Sequence, residues 1–133
     1  MRILIVEDDF TNRVVLQKYL SAYGECDVAV NGEEAVQAHQ LALDEANPYQ
    51  LICLDIMMPT LDGNEALKII RDKEKLLNVS PEKEVKIIMV TALDSPHDVF
   101  DSYYSGGCTS YLIKPIQKST LIAQLKDLKL ISD

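Results

Sequence analysis

Six side chains capable of chemistry stand directly after apolar runs in this 133-residue chain. ILIV (3–6) gives way to Glu7, Asp8 and Asp9. LICL (51–54) gives way to Asp55, VKIIMV (85–90) to Thr91, and TSYLI (109–113) to Lys114. An Asp at the end of such a run is most often a turn former or a helix cap. If these runs finish at one edge, a different chemistry opens. Carboxylates brought together repel one another, and either protonation or a cation relieves them. With oxygen ligands only and no convincing Cys or His set, the cation expected is Mg²⁺. A lysine is an odd neighbour for a site that binds only metal, but it suits an arriving anion. A phosphoryl group between Mg²⁺, an ammonium and a hydroxyl has its charge neutralised on each side. An Asp carboxylate can accept that group covalently, which makes Asp55 the expected nucleophile.

The elements that must position these residues are legible in the hydrophobic pattern. ILIV is rich in β-branched residues and does not alternate, as in a strand covered on both faces. A helix through FTNRVVLQKYLSAYG follows, with Val15, Leu16, Tyr19, Leu20 and Tyr23 at helical spacing and Gly24 as its stop. CDVAV (26–30) reads as the second strand. Asn31 can cap the next helix, whose first turn holds Glu33 and Glu34. Its stripe is Ala35, Val36, His39, Ala42, Leu43 and Ala46, and Asn47-Pro48 ends it. LICL is the third strand, and a helix runs from Gly63 to about Val79, broken at Ser80-Pro81. VKIIMV is the fourth strand. Ser95-Pro96 opens a fourth helix, which runs to Gly106-Gly107. TSYLI is the fifth strand. Leu121, Ile122, Leu125 and Leu128 stripe a fifth helix. Strand and helix alternate five times over the sequence. Short connections between them demand parallel strands and right-handed crossovers, hence an α/β doubly wound sheet. Ligands of such sheets bind outside the carboxyl ends of the strands, where the six side chains fall.

Composition narrows the partners. The chain is 47% hydrophobic with five Gly and five Pro, which is globular and fits one domain over residues 1–133. No output domain is visible. A net charge of −8 makes direct binding to nucleic acid or anionic membrane a poor fit. Cys26, Cys53 and Cys108 lack paired spacing, so each is expected as a small buried apolar residue in a reducing compartment. The start, MRILIVEDD, is too short for a signal peptide or a membrane span. A cytoplasmic protein is expected.

The sequence resembles response-regulator receiver domains of two-component signalling, over essentially all of its length. The marks are LIVEDD, LDIMMPTLDG, VTAL and YLIKP, in this order and at these strand ends. The resemblance implies a flavodoxin-like sheet of order 2-1-3-4-5 with five helices. By the same carry-over, Asp55 matches the phospho-acceptor, Asp8 the direct metal ligand and Glu7 an acid acting through water. Met57 would give Mg²⁺ its backbone carbonyl. The alternative register moves the acidic pair to Asp8-Asp9. Arg13 favours the first, because it then falls where receivers often carry a basic residue. Thr91 matches the switch hydroxyl, Tyr111 the switch aromatic and Lys114 the phosphoryl-binding lysine. Pro115 then follows a cis peptide bond. The implied donor is a sensor histidine kinase or a histidine phosphotransfer protein. The implied output is a changed face of the fourth helix, fifth strand and fifth helix, read by a downstream protein. Met57 and Leu93 flank the path of a hydrolytic water. Both are bulky and orient water poorly, so a long-lived phosphoryl is expected.

Other residues have plainer readings. His39 and His97 are packing or surface residues, and RDKEK (71–75) is a solvated helix face. Asp62-Gly63 is a turn and helix start. LALDEANPYQ and DKEKLLNVSPEKE look long for the family, away from the active edge. A haloacid dehalogenase-like phosphatase would carry Asp-x-Asp on the first strand, where this chain has Glu7-Asp8-Asp9. A flavin site would need a Ser/Thr/Gly-rich loop there. A receiver-like module that is never phosphorylated would not need the intact Asp, Thr and Lys set.

Overall fold

A computed structural model describes residues 1–92 and 107–132. Its elements are β1 (Arg2–Val6), α1 (Phe10–Leu20), β2 (Glu25–Ala29), α2 (Gly32–Asp44), β3 (Leu51–Asp55) and α3 (Gly63–Leu76). A short 3-10 turn (Pro81–Lys83), β4 (Lys86–Thr91), β5 (Ser110–Ile113) and α4 (Lys118–Asp127) complete them. The five strands form one parallel sheet of order β2-β1-β3-β4-β5. The helix expected over 95–106 lies outside the described residues, as do His97 and Leu93.

Alternation along each strand builds two cores. Leu4, Val6, Ile52, Leu54, Ile87 and Met89 face one side, where Ala35 and Ala42 of α2 and Ala66, Leu67 and Ile70 of α3 cover them. Ile3, Ile5, Leu51, Cys53 and Ile88 face the other, under Leu16 and Leu20 of α1 and Leu121 and Leu125 of α4. Both strand faces are buried, so the strand sequences carry no polar alternation. The sheet order makes β3 an inner strand with all five residues buried. That sets its last residue, Asp55, centrally at the carboxyl edge.

Several helix ends differ from expectation. α1 stops at Leu20 rather than Gly24. Tyr23 still packs against the core, but from a turn, so the apolar spacing outruns the helix. α2 ends at Asp44, and Ala46 is exposed with a left-handed φ of 55°. α3 ends at Leu76, three residues before Val79. β2 and β4 are each displaced by one residue from the expected runs, and β5 starts one residue later, at Ser110. Of the cysteines, only Cys53 is fully buried, and all three are free.

RDKEK is not a uniformly solvated face. Glu74 is 3% exposed. Its Oε1 accepts from Arg71 Nη1 at 2.6 Å and its Oε2 from the backbone N–H of Val85 at 2.8 Å. Arg71 also donates to the Gly107 carbonyl at 2.9 Å, tying α3 to the approach to β5. A buried charge that loses its partner costs about 3–5 kcal/mol. Glu74→Ala should therefore lower the unfolding free energy by about that much in urea titrations. Arg71→Met combined with Glu74→Leu should recover part of the loss. Additive losses in the double variant would show that the two side chains are not coupled.

Candidate functional site

The carboxyl edge gathers the expected residues. Asp55 is 3% exposed at the end of β3. Its Oδ2 lies 3.4 Å from Lys114 Nζ, and its Oδ1 accepts from the Met57 N–H at 3.2 Å. Glu7 directly follows β1, is fully buried, and places Oε1 3.2 Å from the same Nζ. One ammonium thus serves two buried carboxylates. Asp8 is exposed beside them, and one oxygen each of Glu7, Asp8 and Asp55 lie within 4.8 Å of one another. Thr91 closes β4, is buried, and directs its hydroxyl to the Ala92 carbonyl at 3.3 Å. The N–H of Lys114 donates to the Thr91 carbonyl at 2.7 Å, so these two side chains leave adjacent strand ends. The Lys114–Pro115 bond is cis.

The local sequence explains the placement. Asp9 does not join the acidic trio. Its carboxylate accepts from the Asn12 N–H at 2.9 Å and caps α1. Arg13 donates to the Glu7 carbonyl at 3.1 Å, which fixes the turn between β1 and α1. Asp62 and Glu65 form a capping box at the start of α3. Gly63 has a role that the sequence reading did not find. A Cβ there would collide with the Asp55 carbonyl oxygen, and the Gly63 N–H donates to the Ile56 carbonyl at 2.9 Å. Only glycine lets α3 start pressed against the Asp55 backbone. A Gly directly after a capping Asp, eight residues past Asp55, was the available signal. Tyr111 on β5 is 38% exposed, and its carbonyl accepts from Gln124 Nε2 at 2.7 Å. Met57, two residues past Asp55, is 62% exposed.

The electrostatics are those of a charge-deficient cluster. Burial, then the hydrogen bond and charge of Asp55, push Glu7 up to about 8, against the opposing pull of Lys114. Burial pulls the Lys114 ammonium down, but Asp55 and Glu7 together reverse this and its net shift is upward. Glu7 Oε1 sits at ion-pair distance from Lys114 yet has no hydrogen-bond partner. An orphaned buried carboxylate oxygen within a trio of carboxylates fits a hard divalent cation.

A family model for the response regulator receiver domain matches residues 3–126. The chain belongs to this family. The rice two-component response regulator ORR41 is 36% identical over 121 residues, covering 91% of this chain and 88% of that protein. The Dictyostelium discoideum hybrid signal transduction histidine kinase B is 36% identical over 93% of the chain, which spans only 6% of that protein. Among solved structures, the receiver domain of Ssk1 from Saccharomyces cerevisiae was crystallised with the histidine phosphotransfer protein Ypd1. It matches with a TM-score of 0.80 at 30% identity, covering 100% of this chain and 93% of that one. A receiver domain of a Pseudomonas aeruginosa sensor histidine kinase holds a magnesium ion in its active-site cleft. It matches with a TM-score of 0.76 at 29% identity, covering 96% of this chain and 95% of that one. The chain is thus a receiver domain of the kind found in response regulators and hybrid histidine kinases, with a phospho-acceptor role in two-component signalling. Among the described residues, no helix is long and apolar enough to cross a membrane.

The Glu7 shift sets a pH dependence. Its ordinary value is 4.5, so between 4.5 and about 8 the unfolded chain has released a proton that the folded protein keeps. The unfolded state then binds fewer protons, and stability falls as pH rises through this window. Glu7→Gln removes that contribution. With a chelator present, urea unfolding of the Glu7→Gln variant should show a smaller fall from pH 4.5 to 8 than the parent. Parallel profiles would place the retained proton elsewhere.

Proposed function

We propose that this receiver takes a phosphoryl group from a phosphohistidine onto Asp55. An Asp55 carboxylate oxygen attacks phosphorus, the P–N bond breaks, and the imidazole leaves with that electron pair. The carrying observation is a nearly buried Asp55 held beside Lys114 and the Glu7–Asp8 pair at one sheet edge. Lys114 neutralises the arriving phosphoryl oxygens, and the Thr91 hydroxyl donates to one of them. Glu7, Asp8, Asp55 and the Met57 carbonyl would hold Mg²⁺, which when bound neutralises further negative charge. The chain's own residues thereby assist both the transfer and a slow loss of the phosphoryl to water.

Residues 1–133 form a single receiver domain in this reading, and the signal passes through its surface. Thr91 moves toward the phosphoryl, and Tyr111 turns inward behind it. A downstream protein reads the changed face of β5 and α4. The donor is a sensor histidine kinase or a histidine phosphotransfer protein, as the likeness to the Ssk1 receiver supports. The net charge of −8 argues against direct contact with nucleic acid, and the free cysteines suit the cytoplasm.

Incubation with acetyl phosphate and Mg²⁺ should add one phosphoryl mass, and Asp55→Asn should abolish it. Equal labelling of that variant would put the acceptor elsewhere. In calorimetric titrations, Asp8→Ala should weaken Mg²⁺ binding far more than Asp9→Ala, because Asp9 is engaged in capping α1. The reverse ranking would move the acidic pair by one residue.

The lifetime of the phosphoryl rests on Met57, whose thioether is only a weak acceptor for an attacking water. Met57→Asn should speed phosphate release, after donor removal, by about threefold, which is about 0.7 kcal/mol of barrier. Unchanged release would show that this side chain does not govern the water.

A further inference from the structure

The opposite edge of the sheet holds a cavity of about 310 Å³. It forms where the two segments that look long for the family meet. His39 and Leu43 of α2 contribute, with Tyr49 just before β3, Glu74 of α3, and Val79 to Val85 just before β4. His39, Tyr49, Glu74 and Val85 are its buried lining, whereas Ser80 and Lys83 are exposed. It is therefore walled inside and open at one side.

Three polar side chains are among the buried lining; the Tyr49 hydroxyl donates to Asp27 at 2.7 Å, and the other two differ. Both Glu74 oxygens are taken, one by Arg71 and one by the Val85 N–H, so Glu74 asks for no ligand. His39 is 2% exposed, and its Nδ1 has no partner. Buried polar atoms are nearly always satisfied, and an exception calls for an explanation. A single ordered water would leave most of a cavity this size, walled by Leu43, Tyr49, Val79 and Val85, without contacts.

We propose that this cavity binds a small, uncharged, largely apolar molecule carrying one hydroxyl group, of the size of a substituted phenol. The size follows from the volume, at the lower end of the roughly 300–1,000 Å³ typical of ligand sites. The lack of charge follows from the surroundings. A cation would meet Lys83 at the mouth, and an anion would meet Glu74 while losing its hydration. The hydroxyl follows from His39. Burial, then Arg71 and Lys73, lower the imidazole to about 4, so the ring is neutral at neutral pH. A neutral imidazole offers one donor and one acceptor nitrogen, and a hydroxyl can serve either. The apolar ring would lie against Leu43, Val79 and Val85. The site lies at the far edge of the sheet from Asp55.

The test is titration of the ¹⁵N-labelled full chain with 4-methylphenol and with toluene, followed by amide chemical shifts. In the unmodified protein, saturable shifts are expected around His39, Leu43, Tyr49, Val79 and Val85, with none at Asp55 or Lys114. The phenol should bind about fivefold more tightly than toluene, the scale of one net hydrogen bond. His39→Leu should remove that preference while leaving toluene binding in place. Ser80→Trp, at the exposed side, should block both probes without disturbing the core. Non-saturating or scattered shifts in the unmodified protein would overturn the site. Equal affinity for the two probes there would overturn the hydroxyl–imidazole pairing even if His39→Leu did not fold. Undiminished binding to Ser80→Trp would place the probes elsewhere.

Discussion

One ammonium holding two buried carboxylates is the constraint on which the rest of this structure depends. Lys114 Nζ stands 3.2 Å from Glu7 and 3.4 Å from Asp55, on the ends of β5, β1 and β3 respectively. Two like charges about 4–5 Å apart repel by roughly 3–4 kcal/mol even at an effective dielectric constant near 20. With Asp8 nearby, the edge would open or fill with protons if no cation stood there. Lys114 offsets part of this, and the raised Glu7 shows what is left over. Three carboxylates against one ammonium leave the cluster two positive charges short. A divalent cation fits that deficit.

The fold exists in service of this juxtaposition. The strand ends can meet only if the sheet is parallel and β3 is inner. That requires crossovers by helices on both faces, and hence strands that are apolar on both faces. The Leu51–Asp55 run is therefore apolar up to its last residue, and the charge appears where the chain leaves the sheet. Gly63 completes the fit, because the start of α3 rests on the Asp55 carbonyl. Chemistry at the edge and packing below it are the same constraint seen at two levels.

What the sequence disclosed follows that logic. The strands were legible because burial on both faces leaves an unbroken apolar run, and the site was legible because it begins where each run stops. Helix ends were less so. Apolar spacing reports which side chains reach the core, not whether the backbone between them is helical. Tyr23 reaches it from a turn, and Ala46 continued the pattern of α2 but lies exposed in a left-handed turn. Glu74 was hidden for a different reason. Within RDKEK it reads as one of several solvated charges, and only the docking of Val85 and Arg71 reveals it as buried. Cavities are the least legible feature, since a pattern describes elements and not the spaces between them.

The two edges of the sheet use charge in opposite ways. At the amino edge, Glu74 is fully satisfied by Arg71 and Val85, while Arg71 reaches Gly107 and Thr109 at the start of β5. Thr109 in turn accepts from the Ile87 N–H at 2.9 Å, so β4 and β5 are locked together at their beginnings. At the carboxyl edge, Glu7 is left with an orphaned oxygen and a displaced proton equilibrium, and Lys114 is shared. Saturated polar networks resist rearrangement, whereas partly satisfied ones lie close in energy to alternatives. β5 is thus anchored by side-chain bonds where it enters the sheet, and at its other end Lys114 is shared between Glu7 and Asp55. Tyr111 and Ile113 lie between Lys114 and that anchor.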